Sequence, residues 1–250
     1  MRVVVCVKQV QQLGDEVEFT GDGLDVDPDY LDAALNEWDS FATEEALRLR
    51  ERLGGEVVLV TCGAKESEPA LRRCLAMGAD RAIRIEGAGG DPFSVARALA
   101  EVVRAESPDL VLCGVQSSDA VQAATGTALA ELLGLPRTAV VTSIDYDEGS
   151  QKAVVDRELE GGLRDRVEVD TPAVLTIQTG INQPRYANLR AIKQAEQVEI
   201  DVRSAAGGGT PAYRVRRMFL PARGGGAEML DGSPAEIAAR IAAIVKERLA

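Results

Sequence analysis

Two hundred and fifty residues, 46% of them apolar, are enough to bury a substantial core, as one large α/β domain or as a domain with an appendage. A formal charge of −12 argues against general nucleic-acid binding, and no apolar run reaches the ~18 residues of a membrane span, so neither nucleic acid nor membrane insertion is expected. The chain has no histidine, which removes Ser-His-Asp chemistry, Cys-His pairs and the commonest zinc ligands.

Met1 and Arg2 lead into an apolar strand over 2–7 rather than a signal peptide, and a cytoplasmic protein is expected. A polar, Asp-rich excursion over 14–32 has the look of a hairpin. Ala42, Ala46, Leu49 and Leu53 predict a helix over 41–53, stopped by Gly54 and Gly55. A buried strand over 57–61 follows. Ser67 reads as the N-cap of the next helix, with Pro69 in its first turn, Leu71, Cys74 and Leu75 facing inward, and Gly78 at its end. The alternation continues with a strand over 82–85, a helix over 92–105, a strand over 110–113 and a helix over 121–133 closed by Gly134. Repeated β-α units with continuously apolar strands predict an α/β fold, a doubly wound, mostly parallel sheet covered on both faces.

The pattern changes after Pro136. Strands over 139–146, 153–159 and 164–169, with turns at 147–150 and at Gly161 and Gly162, add an antiparallel edge. Residues 172–177 read as one more buried strand. Past 195 the core pattern fades. Gly207 to Gly209 and Gly224 to Gly226 read as breaks. Ser233, Pro234 and Glu236 then open a final helix with Ile237, Ile241, Ile244 and Val245 on one face. The expected division is a nucleotide-binding α/β domain over 1–195 and an extended C-terminal arm and helix over 196–250. That arm docks on its own domain or on a partner subunit.

Cys6, Cys62 and Cys113 sit at strand ends. With Cys74, and with no C-x-x-C pair, they read as small buried thiols. No catalytic residue and no metal-ligand set is expected.

Open α/β sheets take ligands beyond the carboxyl ends of their strands. Three ends bring small residues there: Cys6-Val7-Lys8, Thr61-Cys62-Gly63 and Cys113-Gly114. The loop Gly114-Val115-Gln116-Ser117-Ser118-Asp119 then opens a small-residue helix carrying Gln122, Ala123, Thr125 and Gly126. Free amides and a helix N-terminus suit a phosphate-bearing ligand. Glycines that merely make tight turns are the alternative, since neither G-x-G-x-x-G nor G-x-x-x-x-G-K-[ST] is present. A second unusual stretch is Asn36-Glu37-Trp38-Asp39. Trp38, the single tryptophan, sits on a turn before a helix, where it stacks on a ring or a partner, or else plugs its own helix. Asp39 reads as an N-cap. In a third, over 182–195, Pro184 forces an extended entry, and Leu189 and Ile192 project from a short exposed helix beside Arg185, Arg190 and Lys193. That suits docking to a partner, the alternative being ordinary capping of the sheet.

Val5-Cys-Val-Lys-Gln-Val10, Glu44-Glu-Ala-Leu-Arg-Leu49, Cys74-Leu-Ala-Met-Gly-Ala-Asp-Arg-Ala82, Gly114-Val-Gln-Ser-Ser-Asp119 with Thr125-Gly126, Arg157-Glu-Leu-Glu-Gly-Gly-Leu163, Pro172-Ala-Val-Leu-Thr176 and Asn182-Gln-Pro-Arg-Tyr-Ala187 together resemble the beta (small) subunit family of electron transfer flavoproteins, including its nitrogen-fixation-associated relatives. The resemblance runs in order over about residues 1 to 195. It implies an adenine nucleotide alpha hydrolase-like fold and a larger alpha subunit as partner, with FAD mainly in that subunit's mobile domain. The chain itself is implied to bury AMP or, in electron-bifurcating relatives, a second FAD. Electrons would pass from a dehydrogenase to a quinone-linked oxidoreductase, a ferredoxin or a membrane acceptor. The nucleotide-contacting positions map to Cys6, Asn36 to Asp39, Cys62 and Gly114 to Gly126, with Trp38 near the flavin. The partner-contacting positions map to Glu158, which resembles the glutamate that tethers the flavin domain, and to Tyr186, Leu189 and Ile192, where Leu189 matches the anchor of a recognition loop.

Two departures stand out. Many relatives have N-Q-T-G where this chain has Ala123-Ala-Thr-Gly126, which removes two polar contacts and makes a second FAD more credible. The loop after Ile192, lysine-rich in relatives, reads Lys193-Gln-Ala-Glu-Gln-Val-Glu199, which suggests a different dehydrogenase. A stand-alone adenine-nucleotide sensor, and an ATP-using adenylylating enzyme, are the alternatives from other classes.

Overall fold

The computed structural model describes every residue except 15, 88, 206–211, 222–225 and 250. An unbroken run such as Val3, Val4 and Val5 is stable as a strand only with both faces covered, because alternate side chains point to opposite sides. It forms β1 (Arg2–Cys6). There follow β2 (Gln9–Leu13), β3 (Leu31–Leu35), α1 (Glu37–Leu53), β4 (Glu56–Cys62), α2 (Glu68–Met77), β5 (Arg81–Glu86) and α3 (Pro92–Glu106). Then come β6 (Leu110–Gly114), α4 (Thr125–Leu133), β7 (Arg137–Asp147), β8 (Lys152–Glu158), β9 (Arg164–Asp170), β10 (Ala173–Ile177), α5 (Leu189–Glu196), β11 (Ile200–Ser204) and α6 (Pro234–Leu249).

Nine strands form one sheet in the order β11-β5-β4-β1-β6-β10-β7-β8-β9. All neighbours are parallel except β7 with β8 and β8 with β9, so the doubly wound, mostly parallel sheet with an antiparallel edge is present. The alternation of β1 divides the core in two. Val3 and Val5 pack with Leu47 of α1 and Leu71 of α2 on one face. Val4 and Cys6 pack with Leu99 and Val103 of α3 and Leu129 of α4 on the other.

Several boundaries differ from expectation for identifiable reasons. The excursion over 14–32 is the tip of a hairpin: β2 ends just before it and β3 starts within its last two residues. Helix α1 begins at Glu37, so Trp38 stands in its first turn and Asp39 is no cap; Asn36 holds the cap position. Ser67 precedes α2 but caps nothing, because its hydroxyl donates to the Ala64 carbonyl at 2.7 Å. The helix expected from 121 begins at Thr125. Val121 and Ala123 take left-handed φ of 50° and 49°, which a right-handed helix excludes.

β11 was not expected. It completes the sheet beside β5, and Arg203 ties it down by donating to Glu106 Oε1 at 2.9 Å. The glycine breaks expected at 207–209 and 224–226 lie outside the described residues, Gly226 excepted. The capping box of α6 is formed: the Ser233 hydroxyl and amide both donate to Glu236 Oε2, at 2.6 and 2.8 Å. Helix α6 buries none of its residues, leaving Ile241 and Val245 half exposed. Among the described residues no helix is long and apolar enough to cross a membrane.

Candidate functional site: a pocket at the strand-order reversal

β4 and β5 lie on one side of β1, and β6 and β10 on the other. A ligand crevice is expected where the order reverses, beyond the carboxyl ends of these strands. A cavity of about 300 Å³ lies there. Strand ends contribute Cys6, Val60, Cys62 and Cys113. The loop from Gly114 into α4 forms one wall, and Pro92, Val95 and Leu99 of α3 contribute apolar surface.

The loop wall presents free donors to the cavity. Ala123 is left-handed and Ala124 right-handed (φ −109°), an alternation that turns successive amides to one side. No side chain caps α4, and the amides of Ala123 to Thr127 meet no acceptor among the described residues. These donors, with the Thr125 hydroxyl and the positive end of α4, suit a phosphate. Gly126 has a different duty. A β-carbon there would lie 2.7 Å from Thr176 Cγ2, so this glycine lets α4 pack on β10.

Asn36 and Asp39 line the cavity but spend their polar atoms on the protein. Asn36 Nδ2 donates to the Gln116 carbonyl at 2.9 Å, and its Oδ1 accepts the Ser118 amide at 3.3 Å. Asp39 accepts the Lys8 amide on Oδ2 at 2.7 Å and the Gly114 amide on Oδ1 at 3.0 Å. The two side chains hold the ends of β1 and β6 and the following loop in one shape. Burial pushes the Asp39 carboxyl up to about 7, against the two amides, which favour its charged form. At the rim, Lys8 Nζ donates to Asp119 Oδ1 at 2.6 Å and to Ser117 Oγ at 3.1 Å.

The thiols are free and lie where expected. Cys6 and Cys113 face each other in register on β1 and β6. The hydrogen bond that the Cys6 thiol donates to Cys113 and burial both push Cys6 up, and burial pushes Cys62 up to about 12, so these two thiols are held neutral.

Of the cofactor-binding residues expected from sequence, Cys6, Asn36, Asp39, Cys62, Gly114, Val115, Gln116, Ser117, Gln122, Ala123, Thr125 and Gly126 line the cavity. Glu37, Trp38, Ser118 and Asp119 do not. Trp38 instead donates its Nε1 to Gln178 Oε1 at 3.1 Å, and Gln178 Nε2 donates to Glu158 Oε2 at 3.1 Å. One chain of bonds therefore runs from the start of α1 to the end of β8.

The 182–195 segment is anchored at its base and free at its tip. Asn182 Nδ2 donates to the Phe41 carbonyl at 3.0 Å and to Glu45 at 2.9 Å. Arg185, expected on the docking surface, is turned onto α1, where Nε reaches Glu44 at 2.8 Å and Nη1 reaches Glu51 at 2.5 Å. Burial raises Glu44, but the bonds from Arg185 and Arg48 outweigh it and hold this carboxyl below its ordinary value. Beyond that clamp Tyr186 is 92% and Leu189 79% exposed, while Ile192 is partly covered.

Two residues escaped the sequence reading. Asp91 caps α3 and lines the cavity, and its Asp-Pro start was a readable signal. Tyr213 reaches the cavity from the C-terminal segment, and no local pattern foretells so distant a contact.

The chain matches the electron transfer flavoprotein domain family over residues 24–207. It is 46% identical to the electron transfer flavoprotein subunit beta of Methylophilus methylotrophus, over 99% of this chain and 98% of that one. Identity is 33% to the subunit beta of Syntrophomonas wolfei, over 92% and 90%, and 38% to that of Bradyrhizobium diazoefficiens, over 82% of each.

Proposed function

The chain belongs to the electron transfer flavoprotein beta-subunit family, and on that premise we propose that it is the nucleotide-holding half of a two-subunit electron carrier, with AMP in the pocket between β1, β6 and α4. The carrying observation is the set of unpaired amides from Ala123 to Gly126 lining a cavity of about 300 Å³. That volume is at the low end for small-molecule sites. It suits an adenosine phosphate.

FAD belongs mainly to the larger alpha subunit in this reading, and when bound it supplies the electron-accepting and electron-donating chemistry. This chain supplies position. Asn36 and Asp39 fix the phosphate loop, and Glu158 and Trp38 face the flavin-bearing subunit. Tyr186, Leu189 and Ile192 grip a dehydrogenase, and a quinone-linked oxidoreductase receives the electrons. The uncovered apolar face of α6 supports a C-terminal arm whose last helix lies on the alpha subunit.

Purification with an alpha subunit tests this. The expected complex is yellow, and its flavin absorbance bleaches when a dehydrogenase and its substrate are added. A stable, colourless complex that cannot be loaded with flavin contradicts it.

A further inference from the structure

Among the described residues, Tyr213 is the one aromatic side chain on the cavity lining. It is held there by two bonds from opposite sides. The amide of its neighbour Ala212 donates to Asp91 Oδ2 at 3.1 Å. Its own hydroxyl accepts Gln122 Nε2 at 2.5 Å. Asp91 is a firm attachment point: it is 3% exposed, and its carboxylate also takes the Phe93 and Ser94 amides and the Ser94 hydroxyl. Gln122 stands on the opposite wall, in the strained stretch between the left-handed Val121 and Ala123. Ala212 and Tyr213 thus form a strap from the start of α3 to the loop before α4.

The chemistry of the two walls differs. The amides before α4 recognise an anion and offer nothing to a flat ring. Tyr213 brings an aromatic ring to the lining, and 47% of the residue is still exposed, so an aromatic ligand has apolar surface to cover. Every nucleobase has a π face, and aromatic side chains are a recurrent platform for it.

We infer that Tyr213 holds the base of the bound mononucleotide, its ring against the face of the purine, with the strap to Asp91 and Gln122 carrying it into place. This rests on the nucleotide reading above and adds the residue that senses the base.

The test is calorimetric titration of the full-length chain, freed of nucleotide, with AMP and separately with ribose 5-phosphate. Y213F keeps the ring and is expected to bind AMP within about threefold of the parent. Y213L loses the ring and is expected to bind AMP about tenfold or more weakly, while its binding of ribose 5-phosphate is unchanged. The inference is overturned if Y213L binds AMP like the parent, if Y213F falls as far as Y213L, or if Y213L loses both ligands equally. A parent chain that binds no AMP overturns the nucleotide reading itself, and the inference with it.

Discussion

The amide of Gly114 donates to Oδ1 of Asp39, and only glycine permits that approach. A β-carbon on residue 114 would run into the same carboxylate and lie 2.6 Å from Trp38 Cβ. G114A therefore forces the start of α1 away from the end of β6. The expected cost is about 1–3 kcal/mol of stability, with a shifted emission from Trp38, the single tryptophan. Chemical denaturation followed by tryptophan fluorescence reads both quantities, and an unchanged midpoint and spectrum contradict the packing described.

Asp39 gives a pH signature. Its folded-state value, raised to about 7 by burial, lies above the ordinary carboxyl range. Its contribution to stability is therefore full below about pH 4 and is lost as pH rises through about 7. D39N removes this titration and leaves a backbone amide facing a donor, at about 1–3 kcal/mol. The stability difference between parent and D39N should narrow between about pH 4 and pH 7 and stay level above. A difference independent of pH over that window contradicts a raised Asp39.

Arg185 clamps the 182–195 segment to α1, and Glu44, its inner partner, is only 3% exposed. R185A leaves that carboxylate with Arg48 and the backbone amide of residue 185. Arg185 is partly solvated, so the expected loss is about 2 kcal/mol, below the figure for a fully buried pair. Hydrogen exchange should rise across 182–196 more than in β1 or β6, and uniform protection contradicts the clamp.

Leu189 is a different case, since its side chain supports nothing in this fold. L189A should change stability by no more than about 0.5 kcal/mol. If the segment docks a dehydrogenase, the same variant accepts electrons from it about tenfold more slowly. Equal electron-transfer rates for parent and L189A remove Leu189 from the docking surface.

The sheet was legible in the chain because its central strands are continuously apolar and α1, α2 and α4 end at glycine. Gly78 and Gly134 both stand where those helices stop. The edge strand β11 was not. β11 reads Ile200-Asp-Val-Arg-Ser204, half of it solvated, and only its register with β5 and the bond from Arg203 to Glu106 make it a strand. At the site, the loop from Gly114 to Gly126 was visible as small residues after a strand. The division of labour was not: Asn36 and Asp39 position that loop, and Gly126 serves α4 packing. Nor was the late start of α4, because nothing local marks Val121 and Ala123 as left-handed. Arg185 shows the same limit, since whether a charge faces solvent or a buried carboxylate depends on residues over a hundred positions away.

The most direct measurement is the nucleotide content of the purified complex of this chain with its alpha subunit, released by denaturation and separated by chromatography. The account predicts one FAD and one AMP per complex, with the AMP lost when Thr125 is replaced by a bulkier residue. Two FAD and no AMP, or FAD alone in a complex that takes up no adenosine phosphate, contradicts it.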